Sequence, residues 1–225
     1  MTLPSTQSVF IATPTLDGSL DCRYVAALLH STAALTRRGI PFEVSFEVGN
    51  SLIPDARNKL VAKFLASQHT DLLFIDSDLA WSAPDLLKLL SYNVPFVAGV
   101  YQRKIPTKLD FTVKFGASIS LDRNALMEAE RTGTGFMRLR RDCHAAMVAA
   151  YPHLKLKDSG TPPSDWLYAL FDTSIVNGQY LGEDFTFCDR WRAAGGKVLI
   201  DPHINLAHMG TKPYDEPLMN FLKQN

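Results

Sequence analysis

The chain has 225 residues, 46% of them hydrophobic, and its 23 Lys+Arg balance 23 Asp+Glu to a formal net charge of zero. That composition supports a buried core without metal or disulfide staples, and it gives no net field to draw the chain onto nucleic acid or an anionic membrane. The cysteines Cys22, Cys143 and Cys188 are far apart and lack a CxxC pair, so they read as reduced thiols acting as small apolar filler.

Residues 9–12 are a short apolar run stopped by Thr13-Pro14-Thr15, which predicts a buried strand ending in a loop. A helix is predicted over 21–38, with Val25, Leu28, Leu29 and Leu35 on or near its apolar face and Arg37, Arg38 and Gly39 as a basic last turn and stop. Residues 42–48 alternate apolar with polar, as a half-buried strand does. Pro54 opens a second helix whose Leu60, Val61, Phe64 and Leu65 face inward. Residues 72–75 form the next strand and run straight into Asp76-Ser77-Asp78. Ser82 and Asp85 predict a capping pair for a helix through Leu90, and 95–100 is another apolar strand. This β/α alternation predicts a mostly parallel sheet covered by helices. Ligands in such sheets sit beyond the carboxyl ends of the strands, where residues 13–15 and 76–78 both lie.

In the second half, 125–131 has helical propensity, 133–139 reads as a strand, 142–150 as a short helix and 151–163 as a long surface loop. A helix over 182–194 is stopped by Gly195-Gly196, and a strand follows at 198–200. No linker divides the chain, so one domain over 1–225 is expected. The N-terminus shows no basic region followed by a long apolar run, and no stretch suits a transmembrane helix. The expected location is the cytoplasm.

Asp76 and Asp78, at i and i+2 on a strand end, can share a divalent cation and the hydroxyls of a bound nucleotide, and oxygen ligands favour Mg²⁺ or Mn²⁺. The same three residues also occur as an ordinary solvated turn. Glu183 and Asp184 follow Gly182 at a helix start, where the plain role of acidic residues is to complement the helix dipole. His208, beside Gly210 and Lys212, is a candidate further metal ligand. Trp166, Tyr168, Phe171 and Tyr180 suit either core packing or stacking on a sugar or base. The basic groups Arg103, Lys104 and Lys108, and Arg138, Arg140 and Arg141, read as solvated faces, with a phosphate-bearing acceptor as the sharper alternative.

The order Pro54-Asp55-Ala56-Arg57-Asn58, Phe74-Ile75-Asp76-Ser77-Asp78, Gly135-Phe136-Met137, Gly182-Glu183-Asp184-Phe185 and His208 resembles that of GT-A glycosyltransferases over roughly residues 9–214. The resemblance implies an α/β GT-A fold, a Rossmann-like, mostly parallel sheet flanked by helices. Its nucleotide-sugar half would span about 1–105 and its acceptor half about 106–225, with a strand rather than a helix before Gly133. The implied activity is metal-dependent transfer of a sugar from a nucleotide-diphosphate sugar, UDP-sugar first, to an acceptor hydroxyl. Thr13 and Pro14 would line the base and ribose, with Arg57, Asn58 and Ser77 close to the nucleotide. Asp76 would reach ribose or metal, Asp78 and His208 would bind Mn²⁺ or Mg²⁺, and Asp184 or Glu183 would be the base. The segment from His208 to Tyr214 is similar to the HxxGxxKPW ending of family 8 enzymes, whose lysine touches the diphosphate, which assigns Lys212 there. The spacing here is shorter, and Tyr214 stands where that family has Trp. The Glu-Asp pair is family 2-like and implies inversion, while the tail is family 8-like and implies retention, so the anomeric outcome stays open. The acceptor is a glycan, a lipid-linked sugar, a protein or a modified nucleic-acid base. Two other readings are a nucleotidyltransferase of related fold and a non-catalytic nucleotide-sugar binder. The first normally carries a basic, glycine-rich loop where this chain has residues 13–18, which hold no lysine or arginine.

Overall fold

In the computed structural model, which describes residues 7–116, 120–158 and 163–223, the first apolar run becomes β1 (Val9–Thr15), buried along its whole length. It is three residues longer than predicted. Thr13, Pro14 and Thr15 continue to pair with β2 (Phe42–Val48). Ala12 is the last residue of β1 to pair with β3 (Asp71–Ile75). Pro14 therefore lies where the neighbour on that side has ended, and its missing N–H costs the sheet nothing.

Between these strands run α1 (Cys22–Arg37) and α2 (Ile53–Ala66). Asp21 caps α1 by accepting from the Arg23 N–H, and Gly39 takes φ +66° just past its end. The buried face of α1 is Tyr24, Ala27, Ser31, Ala34 and Leu35. This corrects the predicted face, because Val25 and Leu29 are exposed. α2 buries the predicted Leu60, Val61, Phe64 and Leu65, and adds Arg57 and Asn58 to them.

β4 (Leu79–Ala80) and α3 (Ala83–Ser91) follow. The Ser82 hydroxyl accepts the Asp85 N–H at 3.2 Å and donates to the Asp85 carboxylate at 2.7 Å, the capping pair the sequence predicts. β5 (Phe96–Gly99) and β6 (Val113–Lys114) come next. The 125–131 segment is not a helix. It forms β7 (Met127–Ala129) and β8 (Arg131–Thr132), after a turn in which Ala125 has φ +60°. β9 (Phe136–Arg140) leads into α4 (Arg141–Ala150). Of the loop predicted over 151–163, the described part holds a 3₁₀ turn (Pro152–Leu154) and a bridge from Lys155 to Tyr168; residues 159–162 lie outside the described ones. β10 (Ser174–Val176) and β11 (Gln179–Leu181) make a hairpin across Asn177 and Gly178, both at positive φ. α5 (Glu183–Ala193), β12 (Val198–Asp201), β13 (Ala207–Met209), β14 (Pro213–Tyr214) and α6 (Leu218–Leu222) complete the chain.

Seven strands form the central sheet in the order β2-β1-β3-β9-β5-β12-β7. β9 is antiparallel to both β3 and β5, and β7 is antiparallel to β12. The other five strands run one way, giving the mostly parallel α/β sheet expected. Alternation along β1 serves two cores: Phe10 and Ala12 join Leu60, Phe64 and Phe187 on one face, while Val9 and Ile11 join Tyr24, Leu35 and Leu89 on the other. Two arginines read as solvated faces are structural instead. Arg138 is fully buried and donates to the carbonyls of Leu89, Tyr92 and Val94, closing the end of α3. Arg141 does the same for α2, donating to the carbonyls of Phe64, Leu65, Ser67 and His69. Cys143 and Cys188 are buried filler as expected, whereas Cys22 is exposed.

Candidate active site

The carboxyl end of β3 delivers Asp76-Ser77-Asp78, and the two carboxylates go to different partners. Asp76 Oδ1 meets Arg57 Nη2 at 2.9 Å, while Arg57 Nε reaches Glu183 Oε1 at 3.1 Å. Arg57 is 3% exposed and packs its guanidinium 5.3 Å from the centre of the Phe74 ring. Burial works against its charge, but Asp76 and Glu183 outweigh it and hold the guanidinium firmly protonated. Its Nη1 has no hydrogen-bond partner among the described residues. One buried cation thus ties the second turn of α2 to the end of β3 and the start of α5.

Asp184, next in sequence to Glu183, has its carboxyl pushed up to about 6. Burial is the main cause, followed by the negative charge of Glu183, and the bond from the Phe185 N–H only partly offsets them. A carboxyl near neutrality, half withdrawn from solvent at a helix start, suits proton transfer.

Asp78 belongs to a second group. β4, which follows it directly, pairs antiparallel with β13, setting His208 opposite Leu79. The Met209 N–H donates to the Asp78 carbonyl at 2.7 Å. His208 Nε2 thereby lies 3.5 Å from Asp78 Oδ1. On its far side, Nδ1 is 2.9 Å from the Gln102 carbonyl. A carbonyl only accepts, so Nδ1 carries a proton, and Nε2 is left facing the Asp78 carboxylate. The other Asp78 oxygen is ion-paired with Lys104. Burial raises the Asp78 carboxyl, but His208 and Lys104 more than reverse this and hold it at about 2.

Tyr101, just past β5, joins the two groups. Its ring stands edge-on to His208 with centroids 5.0 Å apart, and its hydroxyl accepts the Gly135 N–H at 3.1 Å. Burial, and then the nearby Asp76 charge, push that hydroxyl well above its ordinary range. A Cβ on Gly135 would fall 2.7 Å from both the Tyr101 hydroxyl and Asp76 Oδ2, so only glycine allows this approach.

The structure therefore gathers Arg57, Asp76, Glu183 and Asp184 in one group, and Asp78 with His208 in another. Four candidates are placed differently. Asn58 spends its amide on the Phe171 backbone, donating to the carbonyl at 2.7 Å and accepting the N–H at 2.9 Å, so it is a buried staple. Thr13 is fully buried with its hydroxyl 2.5 Å from that of Tyr24, and Pro14 beside it is buried too. Lys212 is exposed, its ammonium 5.3 Å from the centre of the Tyr214 ring; the ammonium that reaches Asp78 is that of Lys104. Ser77 is partly buried, and its carbonyl accepts the Asp21 N–H at 3.1 Å. Sequence reasoning missed Tyr101 and Gln102, although both sit at a strand's carboxyl end, and it passed over Lys104 as one of a solvated group.

Among the described residues, no group of three or more His, Cys, Asp or Glu is gathered to hold a metal ion. Asp78 and His208 are nevertheless a fitting pair. Mg²⁺-like ions take few protein ligands and complete their shell with substrate phosphates. The bond from His208 Nδ1 to Gln102 is the outer support that ligating histidines use.

No protein-family model matches this sequence, and no curated protein matches it. Solved structures do. A mutant of Drosophila β1,4-galactosyltransferase 7, in complex with manganese, UDP-Gal and xylobiose, is 16% identical with a TM-score of 0.50, over 98% of this chain and 74% of that one. GalNAc-T7 with UDP, GalNAc and Mn²⁺ is 11% identical with a TM-score of 0.54, over 97% of this chain but only 48% of its own length. A197 from STIV is 13% identical with a TM-score of 0.54, over 91% and 86% of the two chains. The likeness is one of fold: the chain has the GT-A fold of the galactosyltransferase and GalNAc-T7 structures. No described helix is long and apolar enough to cross a membrane.

Proposed function

We propose that this chain is a metal-dependent glycosyltransferase moving a sugar from a nucleotide-diphosphate sugar, a UDP-sugar first, to an acceptor hydroxyl. The observation that carries the reading is Asp184, a carboxyl pushed up to about 6, in the charge network of Arg57 and Asp76, whose Asp76 stands two positions before Asp78 of the Asp78–His208 pair. Solved structures of the same fold containing UDP and manganese support it.

Asp78 and His208 would hold Mn²⁺ or Mg²⁺, which when bound stabilises the charge of a departing diphosphate. Arg57 fixes the positions of Asp76 and Glu183, and its unused Nη1 remains a donor for an anionic or hydroxylic ligand group. Asp184 takes the proton from the acceptor hydroxyl, and Glu183 beside it keeps its carboxyl basic enough to do so. Lys212 reaches the diphosphate if the 209–223 segment folds inward over the donor. The test is release of nucleoside diphosphate from a panel of nucleotide sugars with and without Mn²⁺. Turnover that requires the cation and collapses in Asp184→Asn supports the reading; binding without turnover for every donor and acceptor class makes the protein a binder instead.

A further inference from the structure

Asp78 is the one carboxylate of the strand-end motif free of Arg57, and a tethered cation already sits on it. Lys104 follows Gln102 in the turn after β5, and its ammonium is ion-paired with Asp78 Oδ2. The contact is built from several sides. The Gln102 carbonyl anchors His208, which faces the other Asp78 oxygen at 3.5 Å. The Lys104 stem runs along Gly210, where an added Cβ would meet the lysine Cδ at 3.2 Å. Around that stem the turn is pinned by the Arg103 N–H to the Asp110 carbonyl at 2.8 Å. Lys104, His208 and Gly210 therefore converge on Asp78 from two separate chain segments.

We propose that Lys104 and a divalent cation are mutually exclusive partners of Asp78, so that Lys104 is a displaceable counter-ion that sets how strongly the metal binds. This rests on the reading of Asp78 and His208 as the cation site. An ammonium and a divalent ion on one carboxylate repel each other at close range, and the ammonium also occupies an oxygen the metal would use. With Lys104 seated on one Asp78 oxygen and His208 facing the other, the Asp78 carboxylate is held in a fixed orientation. Arrival of the cation displaces a flexible four-carbon arm rather than a packed residue. The displaced ammonium stays tethered within a side chain's length of the anionic oxygens the cation carries.

The experiment is titration of Mn²⁺ alone, without nucleotide, followed by the electron paramagnetic resonance signal of free Mn²⁺. It compares the unmodified protein with Lys104→Met, Lys104→Arg and Asp78→Ala. We expect Lys104→Met to bind Mn²⁺ about ten-fold tighter or more. Lys104→Arg, which keeps the charge, stays near the unmodified protein, and Asp78→Ala removes the site. Equal or weaker Mn²⁺ binding by Lys104→Met, with binding still lost in Asp78→Ala, overturns the competition while leaving the cation site standing. No Mn²⁺ binding in any of the four proteins, or binding indifferent to Asp78→Ala, overturns the cation site and the competition together. Circular dichroism of each variant guards against misfolding, and Lys104→Arg separates loss of charge from loss of packing.

Discussion

Replacing Asp184 with Asn tests whether the carboxyl beside Glu183 is held in a costly state for the sake of proton transfer. Asn keeps the shape, and its side-chain oxygen still accepts the Phe185 N–H that Asp184 Oδ1 accepts at 2.7 Å. What disappears is a charge that burial and Glu183 oppose, moving the carboxyl from 3.8 to about 6. About two pH units between the ordinary and the folded value correspond to about 3 kcal/mol, of which residual solvent contact leaves about 1–3 kcal/mol. Because the folded value is raised, the wild-type protein enjoys this stability in full below about pH 4. It loses that stability as pH climbs through about 6. Asp184→Asn should therefore gain about 1–3 kcal/mol over wild type at pH 8, relative to the difference between the two at pH 4, in urea unfolding at both values. In the same variant, transfer should fall by roughly two to four orders of magnitude, and the rise of kcat/KM with pH near 6 should vanish. A stability difference that does not change between pH 4 and pH 8 would refute the electrostatic reasoning, and near wild-type transfer would refute the role as base.

Arg57→Met leaves Asp76 and Glu183 facing each other without their shared cation, so urea unfolding should register a loss of about 3 kcal/mol; a loss below about 1 kcal/mol means the triad is not the clamp described. Asn58→Ala removes both bonds to the Phe171 backbone and should cost about 2–4 kcal/mol in the same assay, and a near-neutral result would show that water replaces the amide there. Lys212→Ala should lower kcat about ten-fold while changing the calorimetric Kd for UDP less than about three-fold; an equal loss in both makes Lys212 a plain binding residue.

The parts of this fold legible in the sequence are those fixed by neighbours in sequence. The Ser82–Asp85 cap, the inward stripe of α2 and the apolar run feeding Asp76-Ser77-Asp78 all follow from short-range chemistry. α1 misled because Leu29 and Val25 are apolar yet exposed, while the smaller Ala27, Ser31 and Ala34 let the helix approach the sheet. Helical propensity over 125–131 lost to strand pairing with β6 and with β12, the second of which lies far away along the chain. Asn177-Gly178 carried a readable hairpin signal that went unused. At the site, the residue types and their order singled out Asp76, Asp78, Glu183, Asp184 and His208 as candidates. Their division into two groups was invisible, because Arg57 and Glu183 meet across 126 positions and Lys104 and Asp78 across 26. Asn58 looked available to a nucleotide only because Phe171, its partner 113 positions on, cannot be inferred from local pattern.

The central claim is most directly tested by thermal unfolding of the protein against a panel of nucleotide sugars, each with Mn²⁺ and with EDTA. The account predicts that at least one nucleotide-diphosphate sugar raises the Tm in Mn²⁺ and much less in EDTA, since a ligand that binds only the folded state stabilises it. The Mn²⁺ increment should be absent in Asp78→Ala, whose own Tm stays close to that of the unmodified protein. A panel in which no nucleotide sugar raises the Tm, or one raises it equally in EDTA and in Asp78→Ala, would contradict the claim.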